Sequence, residues 1–171
     1  MIFLHKIKDH NKHKNKLLNL INKVPKDNKS DFGPDSIYKS DFYSGKEKRF
    51  EYLDYFFKII DPIMLQVCDK LFSTNYVIHN AWFQQYKKNN FHKWHTHTKT
   101  QFSNIYFLEL PDQKLLTEFY NIKVSNIEEG DVITFPSYIF HRSPVNNTNK
   151  RKTVVAFNSC FYNFKDIKMS N

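Results

Sequence analysis

The stretch that decides the fold is WHTHTKTQFSNIYFLELP, Trp94 to Pro111. It places His95 and His97 two residues apart, ahead of an aromatic and β-branched run. Such runs favour strands. In a strand, residues i and i+2 point to one face. His95 and His97 then project side by side, with Thr96 opposite. On a helix the same pair diverges by about 200° and cannot share a small ion. A chance surface pair, a packing detail and a metal clamp are the three readings of His-x-His. Imidazole suits iron, zinc, copper and nickel. His92 has the opposite parity in a regular strand and is excluded as a partner.

Outward from this stretch the chain divides in two. From Tyr76 onward, short segments rich in aromatic and β-branched residues follow one another: NYVIHNAWFQQY, FHKWHTHT, FSNIYFLEL, KLLTEFY, DVITFP, IFHRSPV and KTVVAFNSCFY. Asn, Asp, Pro or Gly stand in most of the gaps. Seven or eight strands at this spacing predict a sandwich, barrel or jelly roll. Before Tyr76 the pattern is helical. Leu17, Leu20, Ile21 and Val24 recur at helical spacing and stop at Pro25. Tyr52, Tyr55, Phe56 and Ile59 make a second stripe. Met64, Val67, Cys68 and Leu71 make a third after Asp61-Pro62, read as a helix start. The segment between, KDNKSDFGPDSIYKSDFYSG, is turn-rich, and its stretch DFGPDSIYKSDFYSG is a candidate lid. The expected class is α+β, mainly β. Its single domain, 1–171, comprises a helical region over 1–75, a β core over 76–164 and a tail over 165–171.

Composition excludes several functions. With 3 Gly there is no glycine-rich phosphate loop, neither GxxxxGK[ST] nor GxGxxG. No apolar run is long enough to span a bilayer, and MIFLHKIKDHNK lacks a secretory cleavage pattern. A soluble, cytoplasmic protein without membrane partners is expected. Cys68 and Cys160 are too few for a disulfide framework and read as buried thiols. The net charge of +9 raises a nucleic-acid partner. But the lysines are scattered, densest in HKIKDHNKHKNK, and Lys outnumbers Arg 23 to 3 in a chain also rich in Asn, Ile, Phe and Tyr. A solvated, composition-driven surface is the favoured reading.

Two further features join the histidines. IEEGDVITFPSYIFHRSPV carries a strand ending at Phe135-Pro136 and then His141. Ten residues on, Arg151 opens RKTVVAFNS, with Thr153 on the same strand face. NNTNK between them reads as a turn, so the two strands are expected to form a hairpin with Arg151 near His141. An Arg in a Lys-dominated chain is informative, because a guanidinium binds a carboxylate through two parallel hydrogen bonds. An ordinary salt bridge is the plain alternative.

This order resembles the Fe(II)/2-oxoglutarate-dependent oxygenase superfamily, in particular the 2OG-Fe(II) oxygenases of marine phages and bacteria. The order is HxH, Ser103 six residues after His97, Tyr106-Phe107-Leu108, GDVITFPS, His141, Arg151-x-Thr153 and AFNS. The resemblance covers about Trp82 to Phe161. It implies a double-stranded β-helix, or jelly roll, and the cofactor set Fe(II), 2-oxoglutarate and O2. It implies His95 and His141 as iron ligands, with His97 as the third candidate. Arg151 and Thr153 would clamp the far carboxylate of 2-oxoglutarate, and Tyr106 would contact it. The reaction implied is decarboxylation to succinate and CO2 coupled to oxidation of a substrate C–H. The sequence does not name that substrate. Most of the superfamily has an acid where His97 stands, and Asn104 replaces a frequent Gly. A three-His cupin-like dioxygenase without 2-oxoglutarate, and a basic nucleic-acid-binding protein with structural histidines, are the alternatives.

Overall fold

The computed structural model describes residues 1–25, 36–44 and 49–163. In chain order its elements are β1 (Phe3–Lys6), α1 (His10–Lys23), β2 (Lys39–Ser40), α2 (Glu51–Lys70), β3 (Asn75–Tyr86), β4 (His92–His95), β5 (Phe102–Glu109), a 3-10 turn (Gln113–Leu115), β6 (Glu118–Phe119), β7 (Asp131–Pro136), β8 (His141–Ser143) and β9 (Lys152–Tyr162). All strand pairs are antiparallel. The major sheet has the order β1-β7-β5-β9-β3-β2 and the minor sheet β4-β8-β6. The described residues are therefore mainly β with two helices. Among the described residues no helix is long and apolar enough to cross a membrane.

One face of the major sheet packs on the helices. Leu17, Leu20, Ile21 and Val24 of the first stripe are all buried there, with Phe56, Tyr106, Val155 and Phe157. Val24 closes α1 in an extended conformation, as a residue before proline does. The opposite face holds a second core of Ile105, Phe107, Phe119, Ile133, Phe135 and Val154. Phe119 comes from the minor sheet, so this core lies between the sheets.

Three expectations change. Asp61-Pro62 does not start a helix. It lies inside the 20-residue α2, because Phe56, Ile60, Ile63, Met64 and Val67 carry one apolar stripe unbroken past the proline. The N-terminal region also contributes strands. Phe3–Lys6 pairs with Thr134–Asp131, and Lys39–Ser40 with Gln85–Gln84. Four- and two-residue strands are too short to show a period. Finally, the strands of His141 and Arg151 do not form a hairpin: β8 belongs to the minor sheet and β9 to the major one. Asn146 holds the crossing by donating to the carbonyls of Tyr86 and Lys150, at 3.0 and 2.8 Å. Of the candidate lid, residues 31–35 and 45 lie outside the described residues, as does the tail 165–171.

Candidate metal centre and its cavity

The register of the minor sheet sets His95 directly opposite His141. Residues opposite one another in an antiparallel pair share a face. β4 ends at His95, so His97 is not held by the ladder. Its backbone N–H instead donates to the Ser137 carbonyl at 3.0 Å, which folds the chain back over the site. The ring centroids of His95 and His141 are 4.2 Å apart, and His97 is 5.2 Å from each. One nitrogen from each ring lies within 4.8 Å of the others. The pairing is irregular between His92 and His95. The parity that excluded His92 therefore fails, and its ring stacks on His95 at 3.9 Å. His92 is not in the ligand cluster, but it lines the same cavity.

Hydrogen bonds fix two of the tautomers. Nδ1 of His95 is 2.7 Å from the Lys93 carbonyl, and Nδ1 of His141 is 2.9 Å from that of Ile139. A carbonyl only accepts, so each Nδ1 carries the proton and Nε2 is the lone-pair nitrogen. His97 has a looser neighbour, the Asn158 amide at 3.5 Å. Burial, reinforced by the neighbouring His95, lowers the His97 pKa to about 4 and the His141 pKa to about 3. Both are neutral at pH 7, the form that binds metal. Three converging imidazoles, two of them with the tautomer fixed, fit a first-row divalent ion.

Arg151, Thr153 and Tyr106 are not brought to these histidines. Arg151 and Thr153 do share a strand face, but it is the face turned away from the cavity. Arg151 pairs with Glu109 through two bonds, Nε at 2.8 Å and Nη2 at 3.1 Å, and the Thr153 hydroxyl donates to the same carboxylate. Tyr106 lies on the helix side, its hydroxyl 2.7 Å from His10 Nδ1. The bidentate partner that Arg151 was expected to find in a ligand is supplied by the protein itself.

The opposite parity of β9 faces the cavity, and its first residue is Lys152. Lys152, Val154, Ala156 and Asn158 line it together with His95, His97, His141 and Trp82. The Lys152 side chain is 1% exposed. Its ammonium donates to the Leu115 carbonyl at 2.6 Å and to Ser143 Oγ at 2.8 Å. No carboxylate pairs with it among the described residues. Burial, opposed by the charge of Glu118, pushes its pKa down to about 7. Buried ammonium groups without an anion are rare, since desolvation is costly. Sequence reasoning passed over Lys152 because RKTVVAFNS is apolar on both parities, and the rarity of Arg drew the reading to the neighbouring residue.

No protein-family model and no curated protein matches the sequence. Solved structures do match. A 2OG-Fe(II) oxygenase family oxidoreductase from Burkholderia pseudomallei superposes with a TM-score of 0.67 at 13% identity, over 92% of this chain and 83% of that one. The fold is that of the 2OG-Fe(II) oxygenases. The viral collagen prolyl hydroxylase of Paramecium Bursaria Chlorella virus-1, solved as a 2OG complex, gives a TM-score of 0.60 at 14% identity, over 92% and 94% of the chains. A Pseudomonas putida prolyl-4-hydroxylase gives 0.61 at 10% identity, over 95% and 92%. The fold is thus shared with oxygenases across nearly the whole chain, while few residues are.

Proposed function

We propose that the protein is an Fe(II)- and 2-oxoglutarate-dependent oxygenase of hydroxylase type. The major and minor sheets are read as the two faces of a double-stranded β-helix, and the chain as one domain built on it. The observation that carries the proposal is Lys152, a buried ammonium without a carboxylate partner, lining the same cavity as three converging histidines. The fold shared with oxygenases supports it. The free Cys68 and Cys160 suit a reducing, cytoplasmic setting.

In this reading His95, His97 and His141 hold iron. Bound iron, with O2 and 2-oxoglutarate, supplies oxidative decarboxylation to succinate and CO2 and oxygen insertion into a substrate C–H bond. The chain's own residues supply the rest. Lys93 and Ile139 carbonyls keep His95 and His141 in the tautomer that presents Nε2. Lys152 has filled two of its three donor positions, and the third serves the distal carboxylate of 2-oxoglutarate. Ser143 orients that ammonium. The apolar residues Ile105, Val154 and Ala156 keep the cavity walls dry, which strengthens the charge pair.

That no acid joins the histidine cluster among the described residues favours one second reading, a three-His dioxygenase that does not use 2-oxoglutarate. Lys152 separates the two, because that enzyme has no dicarboxylate to hold. The test is 2-oxoglutarate turnover by Fe(II)-loaded protein, followed as succinate. Succinate formation that disappears in Lys152→Met, with iron content unchanged, is the expected result. Iron loading without any succinate, with or without candidate substrates, would defeat the oxygenase reading.

A further inference from the structure

His97 is the least supported of the three histidines. His95 and His141 stand in the ladder of the minor sheet and each gives its Nδ1–H to a backbone carbonyl, at 2.7 and 2.9 Å. His97 lies beyond the end of β4, and its Nδ1 meets the Asn158 side-chain amide, 3.5 Å from Nδ2. Its ring is flanked by that of Trp82 at 5.8 Å and stacks on that of His141 at 5.2 Å. A ring packed in this way keeps its two nitrogens in place. Asn158, by contrast, is rigidly set. It belongs to β9, between β5 and β3 in the major sheet, and faces Ser103 on one side and Asn80 on the other. The Ser103 hydroxyl donates to Asn158 Oδ1 at 3.0 Å. Asn158 is 6% exposed and Ser103 3%.

The protons in this arrangement do not suit a ligand. An amide nitrogen only donates, so the Nδ1 it faces accepts, and the proton of a neutral ring is then on Nε2. With Nδ1 turned to Asn158, Nε2 is the nitrogen left for an ion, and in this tautomer it has no lone pair to give. A ligating histidine gives its other N–H to an oxygen, as His95 and His141 do. The two ends of a carboxamide have nearly the same shape. A half-turn of the Asn158 amide would bring Oδ1 to His97 and Nδ2 to Ser103 with no movement of the backbone. A hydroxyl both donates and accepts, so Ser103 serves either orientation. The neighbouring Asn104 shows the contrast. Its Nδ2 donates to the Phe157 carbonyl at 3.1 Å and its Oδ1 accepts from the Thr134 hydroxyl at 2.7 Å. A carbonyl cannot donate, so the Asn104 amide is locked, whereas that of Asn158 is not.

We infer that Asn158 is the positioning residue of His97, and that its amide turns over when a divalent ion binds. In the turned state Oδ1 accepts the Nδ1–H of His97, Nε2 presents its lone pair, and Ser103 Oγ accepts from Nδ2. The proton lost from Nε2 is matched by one gained at Nδ1, so the ring stays neutral throughout. A carboxylate in place of His97 would have no tautomer to set. A histidine there needs a partner that fixes one, and the central strand of the major sheet supplies it. The inference rests on the proposed metal centre for the ion, but not on 2-oxoglutarate or on any reaction.

The measurement is a long-range 1H–15N correlation of the imidazole rings at pH 7, without metal and with Zn(II). The chain has 8 histidines, and His97→Gln identifies the ring in question. His97 should carry its proton on Nε2 in the metal-free protein, and on Nδ1 with Zn(II) at Nε2 in the loaded one. Asn158→Leu keeps the bulk but offers no polar group. It should weaken Zn(II), measured against a competing chelator, by about ten- to a hundredfold, the range for partners of ligating histidines. Asn158→Asp only accepts. It should hold the Nδ1–H tautomer even without metal, and bind Zn(II) at least as tightly as the wild type. A metal-free ring already protonated on Nδ1, or a loaded ring bound through Nδ1, overturns the inference. So does Zn(II) affinity that is unchanged in Asn158→Leu, or weakened in Asn158→Asp. These outcomes leave the metal centre standing, whereas a wild-type protein that takes up no Zn(II) overturns both. Neither iron nor O2 is present, so the result is separate from whether 2-oxoglutarate is turned over.

Discussion

Lys152 sits where water would normally solvate an ammonium, and the protein returns two hydrogen bonds for that loss. Burial pushes its pKa down to about 7, so the charged form gives way to the neutral amine as pH rises above neutral. A carboxylate arriving beside it stabilises the charged form, so binding takes up a proton above pH 7. Linkage then fixes the sign: affinity for 2-oxoglutarate falls as pH rises from 7 to 9, by up to about tenfold per unit. Lys152→Arg keeps its charge throughout that range and should flatten the profile. Isothermal titration with the Zn(II)-loaded protein measures both. A wild-type affinity that does not change with pH would remove Lys152 from the carboxylate site. The residue scale is also where the sequence was least legible. Parity correctly grouped Arg151 with Thr153 and put both on one face. Which face looked inward depended on the partner strands. Glu109, opposite Thr153, captured the guanidinium, and only the paired sheet shows that.

At the scale of elements, periodicity did well wherever a stripe was long. The α1 stripe and the strands β3, β5, β7 and β9 were all readable, because each has enough residues for a period to emerge. It failed where one strong local signal competed with a weaker continuous one. Pro62 reads as a break, yet the apolar stripe of α2 runs through it and packs on the sheet. The helix therefore tolerates a residue that cannot bond to the Lys58 carbonyl. Pro62 is exposed, so no core contact compensates. Pro62→Ala restores that bond and should stabilise the fold by about 1–2 kcal/mol, after allowing for the freer unfolded chain. The check is a higher urea midpoint at unchanged slope. A midpoint that stays or falls would mean that α2 is bent at Pro62 to fit the sheet, and that straightening it costs packing. The crossing from β8 to β9 failed for a different reason. A turn signal such as NNTNK states that the chain reverses, not which sheet it enters next.

For the whole molecule, the histidines join regions that the backbone ladder holds weakly. The minor sheet has strands of four, three and two residues. His95 and His141 belong to it, while His97 hangs from the connection that leads to β5 in the major sheet. A metal ion gripping all three would tie the short sheet to the long one, and would so couple metal binding to folding. At a metal concentration a hundredfold above its Kd, the native state gains about 2.7 kcal/mol. For a protein of this length that raises the melting temperature by about 5–10 °C. Zn(II) serves as a redox-inert reporter, with melting followed by circular dichroism. His141→Ala should abolish the metal-dependent rise. Lys152→Met should keep it and lose the further rise that 2-oxoglutarate adds to the wild type, because in the proposed reading Lys152 would hold the co-substrate and not the ion. If His141→Ala melts with the same metal-dependent gain as the wild type, the ion binds elsewhere and the three histidines are a packing cluster. If Lys152→Met still gains from 2-oxoglutarate, the dicarboxylate is held by another cation and the central assignment falls.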